Sequence, residues 1–166
     1  MNALSVRPAT PADIPVIRDL ALRTWPTTFA EILAPEQIDY MLALMYSPEA
    51  LAEQMGPRGH RFLIAQTADG PVGYLAYELD YRPRVAKVHK LYVLPDTQGH
   101  GVGRELLNAA SARAVAARQT HLRLDVNYRN PATGFYERMG FTKVAEHTTD
   151  IGEGFLMEDY VYEIGL

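Results

Sequence analysis

Apolar positions along the chain fall into short blocks separated by Gly, Pro and Asp. "LSVRPA" at 4–9, "HRFLIAQ" at 60–66 and "VGYLAYELD" at 72–80 have the length and composition of strands. "TADGP" joins the last two and predicts a hairpin. "RVAKVHKLYVL" at 84–94 alternates as a longer strand. "HLRLDV" at 121–126, "FTKVAEH" at 141–147 and "FLMEDYVYEI" at 155–164 complete a set of about seven.

Helical stretches lie between them. "TPADIPVIRDLALRTW" at 10–25 opens with Thr10 as N-cap, Pro11 in the first turn and Asp13 three residues after the cap. "PEQIDYMLALMY" and "SPEALAEQM" are short helices, "GVGRELLNAASARAVAAR" is a longer one, and "NPATGFYERMG" is one that stops at Gly140. This order predicts an α/β (α+β) fold: a mixed, mostly antiparallel sheet of about seven strands flanked by about four helices. A chain of 166 residues fits a single domain, 1–166, with one core.

Composition narrows the chemistry. There is no cysteine, which excludes disulfides, thiolate zinc sites and cysteine nucleophiles. The five histidines show no metal-binding spacing, so no metal is expected. No apolar run reaches the ~20 residues of a membrane span, and the N-terminal stretch lacks a signal-peptide core. A cytoplasmic protein is expected, with no membrane partner. The net charge is −4 but unevenly spread: Arg58 to Lys143 carries +6, the two flanks together −10. The acidic total and the lack of a dense basic stripe argue against nucleic acid.

The chemistry-bearing stretch is "DTQGHGVGRELL" at 96–107. A glycine turn between a strand and a helix N-terminus is a place for an anion, because free N–H groups and the helix dipole meet there. The turn is neither a Walker loop nor a Rossmann fingerprint.

Gln98 to Gly103 resembles the Q/R-x-x-G-x-G/A pyrophosphate loop of the GNAT acetyltransferase superfamily. "VNYRNPATGFYERMGF", about 30 residues later, is similar to a second segment of that family, N-x-x-A-x-x-F-Y-x-x-x-G-F. The closing "DIGEGFLMEDYVYEIGL" resembles a bacterial subgroup related to spermidine/spermine acetyltransferases. The resemblance implies acetyl-CoA as co-substrate and direct acetyl transfer to a primary amine in a ternary complex. It places the pyrophosphate on Gln98, Gly99, His100, Gly101, Val102, Gly103 and Arg104, and the pantetheine arm along Leu91, Tyr92 and Val93. Asn127 or Asn130 bonds the arm, and the spacing leaves both open. His100 stands where the family usually has Arg or Lys.

The resemblance also makes Tyr136 the acid that protonates the departing thiolate. The base is open: the family's usual position corresponds to Lys87, while His89 titrates in the right range and Glu78 is a further candidate. Strand alternation puts Lys87, His89, Leu91 and Val93 on one face. Trp25, Phe29, Tyr40 and Met41 are expected to wall the acceptor groove, and Glu31, Glu36 and Asp39 to attract a cation, which points to a polyamine-like acceptor. The alternatives are a peptide or protein amine, a non-catalytic acyl-CoA sensor, or a nucleotide-binding regulatory module. The partners expected are a small-molecule amine and a second copy of the chain.

Overall fold

The computed structural model describes residues 3–166. Seven strands form one sheet in the order β1-β2-β3-β4-β5-β7-β6. They are β1 (Ser5–Pro8), β2 (Arg61–Thr67), β3 (Gly70–Arg82), β4 (Val85–Val93), β5 (His121–Asn127), β6 (Thr142–Gly152) and β7 (Phe155–Gly165). Every neighbouring pair is antiparallel except β4 and β5. The expected mixed, mostly antiparallel sheet of seven is therefore present.

Five α-helices accompany the sheet, one for each stretch that the sequence marks as helical: α1 (Ile14–Thr28), α2 (Pro35–Tyr46), α3 (Pro48–Met55), α4 (Val102–Ala116) and α5 (Ala132–Arg138). α2 and α3 are separated at Ser47, which is extended, caps α3 by accepting from the Ala50 N–H at 3.1 Å, and precedes Pro48. Before α1, Pro11–Asp13 form a 3-10 turn, and the Asp13 carboxylate accepts the Thr10 N–H at 2.9 Å.

One apolar cluster runs through both faces of the sheet. The α4 face is built by Leu106, Leu107, Ala110 and Ala114. There Gly73 lets the helix close on β3: a Cβ at Gly73 would stand 2.9 Å from the Tyr92 carbonyl and 3.4 Å from Leu106 and Val102. The α1–α3 face is aromatic. Trp25 packs on Phe29, Tyr46 and Tyr92 at ring-centroid distances of 4.7, 5.7 and 5.4 Å. Behind them Tyr46 and Tyr74 share a buried hydroxyl–hydroxyl hydrogen bond of 2.7 Å.

Two features of the sheet create the site. The parallel pairing of β4 with β5 covers only Val85–Val88 against His121–Leu124. Beyond it the strands part, and the outer edge of β4 from His89 to Val93 has no strand partner on that side. β4 is also bulged: Val88 pairs with Tyr77 but Lys90 with Ala76, so His89 is the extra residue. A bulge reverses alternation beyond it. Lys87, Lys90 and Tyr92 consequently face α1–α3, and Leu91 and Val93 face α4. The expected shared face of Lys87, His89, Leu91 and Val93 is corrected accordingly.

No helix among the described residues is long and apolar enough to cross a membrane.

Candidate functional site

A cleft of about 1260 Å³ follows the gap between β4 and β5. Its two ends differ in chemistry.

One end is the glycine turn. Gly101 caps α4 in the left-handed conformation (φ 80°), and Gly99 is also left-handed (φ 85°). A Cβ on either would meet nothing within 4 Å, so the backbone stands open to the cleft. From Gly99 to Arg104 no backbone N–H finds a backbone acceptor among the described residues. These donors, with the α4 dipole behind them, suit an anion. His100 and Arg104 are exposed beside the turn. The Gln98 amide donates to the Val93 carbonyl at 3.3 Å, tying turn to strand. Gly103 packs against Phe135, which docks α4 on α5.

The unpartnered edge of β4 leads from this turn to the middle of the cleft. Tyr136 projects there from α5. It is buried among Phe135, Phe141 and Tyr162, and burial holds its phenol well above the usual range. It therefore keeps its proton at neutral pH. Asn127 and Asn130 both line the cleft. Each also accepts a nearby backbone N–H, from Arg129 and Ala132 respectively, in Asx-type turns. The geometry leaves both as candidates.

The other end lies under α1–α3. Trp25, Phe29, Met41 and Tyr46 wall it, and Tyr92 adds its ring from β4. Of the remaining residues expected there, Tyr40 and Glu31 do not line the cleft. Tyr40 donates its hydroxyl to the Ile151 carbonyl at 2.6 Å and stacks on Phe155, pinning α2 to the β6–β7 hairpin. Glu31 is exposed; its backbone carbonyl accepts from Arg129 at 2.8 Å, bridging the α1–α2 loop to the β5–α5 loop. Glu36 and Asp39 also point to solvent, as helical spacing away from buried Ile38 and Met41 requires.

Besides the exposed Glu105 next to the glycine turn, the acids lining the cleft are Asp125 on β5 and Asp159 on β7, which sequence reasoning did not single out. Asp159 is cross-strand from Asn127 on one side and His147 on the other. Asp125 accepts from Lys87 at 3.1 Å and pairs with His147 at 3.1 Å. Burial, followed by the neighbouring Asp125, pushes Asp159 up to about 6, against the opposing pull of His147 and Lys87. Burial also raises the Tyr92 phenol, and Tyr46, Tyr136 and Asp159 each add to the rise. Asp159 and Tyr136 thus both act on one ring inside the cleft.

His89 is differently placed. Its ring stacks on His60 at 4.0 Å and its Nε2 faces a Glu78 oxygen at 2.9 Å. Burial, with Lys87, Lys90 and Arg58, pushes it down to about 3, so it is neutral at physiological pH and a weak base. His60, Glu78 and His89 lie close enough to share an ion, as do Asp125, His147 and Asp159. In the first group the near-parallel rings aim both Nε2 atoms at one carboxylate oxygen; in the second Lys87 already holds Asp125. Within the groups His89 is hydrogen-bonded to Glu78 and His147 to Asp125.

The profile of the acetyltransferase (GNAT) domain matches residues 29–163. A protein of Mycobacterium tuberculosis described as a probable N-acetyltransferase is 28% identical over 144 residues, 83% of this chain and 79% of its own. Among solved structures, PaiA N-acetyltransferase from Thermoplasma acidophilum in complex with coenzyme A superposes with a TM-score of 0.82 at 22% identity, covering 99% of each chain. YncA of Salmonella typhimurium with acetyl-CoA superposes at 0.65 and 22% identity, covering 99% of this chain and 95% of the other.

Proposed function

The chain belongs to the GNAT acetyltransferase family, and on that premise we propose that it moves an acetyl group from acetyl-CoA directly to a primary amine bound under α1–α3. The observation that carries the reading is the single cleft. It joins an open N–H cradle at α4 to an aromatic chamber holding a carboxyl and a phenol. The cradle and the free β4 edge are where the pyrophosphate and pantetheine arm of coenzyme A belong. Gly99, Gly101 and the N–H groups to Arg104 hold the first, and the backbones of Leu91 and Val93 receive the second as an added strand.

The amine must lose a proton, the thioester carbonyl must be polarised, and the departing thiolate must gain a proton. Tyr136 supplies the last: it is protonated, buried and positioned on the cleft. Asp159 receives the amine proton, a role that His89 cannot fill while held near 3. Direct attack needs no covalent enzyme intermediate, in keeping with a chain that has no cysteine.

The polyamine-like acceptor loses the charges that suggested it, since Glu31, Glu36 and Asp39 stand outside the cleft. A small primary amine is the reading that the chamber supports.

The test is thiol release from acetyl-CoA with a panel of amines, alongside thermal shift with CoA and with NAD. Amine-dependent thiol release and stabilisation by CoA alone are expected. CoA binding without release for any amine indicates a sensor, and equal stabilisation by NAD removes the cradle assignment.

The cradle has its own prediction. Gly101→Val places a β-branched residue at φ 80°, a conformation costing ~1–2 kcal/mol, and projects its side chain into the anion's space. Acetyl-CoA affinity should fall at least about tenfold while the protein stays folded, because the new Cβ meets no protein atom. Unchanged CoA affinity by calorimetry would show that the anion binds elsewhere.

A further inference from the structure

The wall of the chamber opposite Asp159 is basic. Lys90, on the far side of the β4 bulge, is 8% exposed and donates to the Gln54 side chain at 2.8 Å. Its ammonium lies 5.5 Å from the Tyr46 ring and 5.8 Å from Phe62. No carboxylate of the described residues pairs with it, and Arg58, at the cleft margin, also has no ion pair there. His60 is 6% exposed and lines the same wall, with its Nδ1 buried and without a hydrogen-bond partner.

A lysine buried without a counter-ion holds its proton weakly, and an anion bound beside it restores the charge. The surrounding titrations carry the same sign. Burial first, then neighbouring cations, lowers His60 and His89 to about 3 and Lys90 to about 7. Glu78 is the one carboxylate facing the two imidazoles, and Asp125 is committed to Lys87 and His147.

We infer that Lys90 and Arg58 form an anion subsite within the acceptor chamber, and that the acceptor is an amine that also carries a carboxylate. The inference rests on the acetyl-transfer reading and names its substrate class. The ammonium of such an acceptor is drawn to the wall of Asp125 and Asp159, and its carboxylate to Lys90 and Arg58. Gln54 holds Lys90 in place: its Nε2 donates to the Met45 carbonyl at 2.8 Å, which leaves Oε1 to accept the ammonium. A polyamine, cationic along its length, meets repulsion at this wall.

The experiment compares matched pairs: leucine with leucinamide, phenylalanine with phenylalaninamide, and β-alanine with its amide. For the wild type, kcat/KM should favour the carboxylate of at least one pair by ten- to a hundredfold, the range of a charge-assisted hydrogen bond. Lys90→Met should collapse that ratio at least tenfold, and the exposed Arg58→Gln should lower it by less. A melting curve shows whether Lys90→Met folds, and Arg58→Gln answers if it does not. Amides preferred over carboxylates in every pair, or a ratio untouched by both variants, overturns the subsite. Calorimetry on the CoA-bound protein separates this from the reaction itself. Carboxylate-selective binding that depends on Lys90 or Arg58 sustains the subsite even if no amine is acetylated, whereas acetylation without that selectivity sustains the reaction and overturns the subsite.

Discussion

Asp159→Asn should lower kcat/KM for the amine by ~10²–10⁴-fold at pH 7.5, the usual worth of a positioned general base, with acetyl-CoA affinity little changed. The carboxylate is the working form, so wild-type activity should climb as pH rises through about 6, and the variant should lack that limb. The groups around Asp159 are Asp125, His147 and Lys87, with Tyr92 across the cleft. His147, cross-strand from Asp159 and pulling its carboxyl down, gives a control: His147→Gln should shift the limb upward and leave it present.

Stability should move the other way. Asp159 titrates near 6 in the fold against about 3.9 in an unfolded chain, so the folded state prefers the protonated form. Its contribution is complete below the unfolded value and is lost as pH rises through the folded one. At pH 7.5 the charged carboxyl therefore costs about 2–3 kcal/mol, as an upper figure from ~1.4 kcal/mol per pH unit. Asp159→Asn should melt higher than wild type at pH 7.5 and show no such gain at pH 4. A variant that is slower and more stable marks a residue kept for chemistry. Equal activity and an unaltered pH profile would remove Asp159 from the reaction.

Tyr136→Phe should reduce turnover by ~10²–10⁴-fold while acetyl-CoA binds as before. The ring keeps its contacts with Phe135, Phe141 and Tyr162, and only the hydroxyl is lost. Because burial keeps the phenol protonated, the wild type should show no alkaline limb from Tyr136 below pH 10. The clearest measure is single-turnover thiol release, which isolates chemistry from product departure. Near wild-type single-turnover rates would assign the thiolate's proton to another donor.

Much of this protein was legible along the chain. The strands, the glycine turn and the Tyr136 segment each depend on neighbours within a few residues. Period-two alternation, a left-handed glycine before a helix, and the "GFYERMGF" run declare themselves locally. The boundary between α2 and α3 was equally local, because a capping serine before a proline ends one helix and starts the next.

What decides the chemistry was settled only by packing. One inserted residue at His89 turns β4 so that Lys90 and Tyr92, not Leu91 and Val93, face the acceptor chamber, and a bulge is defined by its register against β3. Asp159 gains its role because β7 lies between β5 and β6, which brings residues 125, 147 and 159 together in a desolvated place. Charge was the least legible feature. Counted along the sequence, the acids of α2 belong to the groove; in the fold they point to water, while a lysine 8% exposed and without a counter-ion lines it. The physical reason is that a charge acts through distance and dielectric, and both are set by which strands and helices meet rather than by position in the chain.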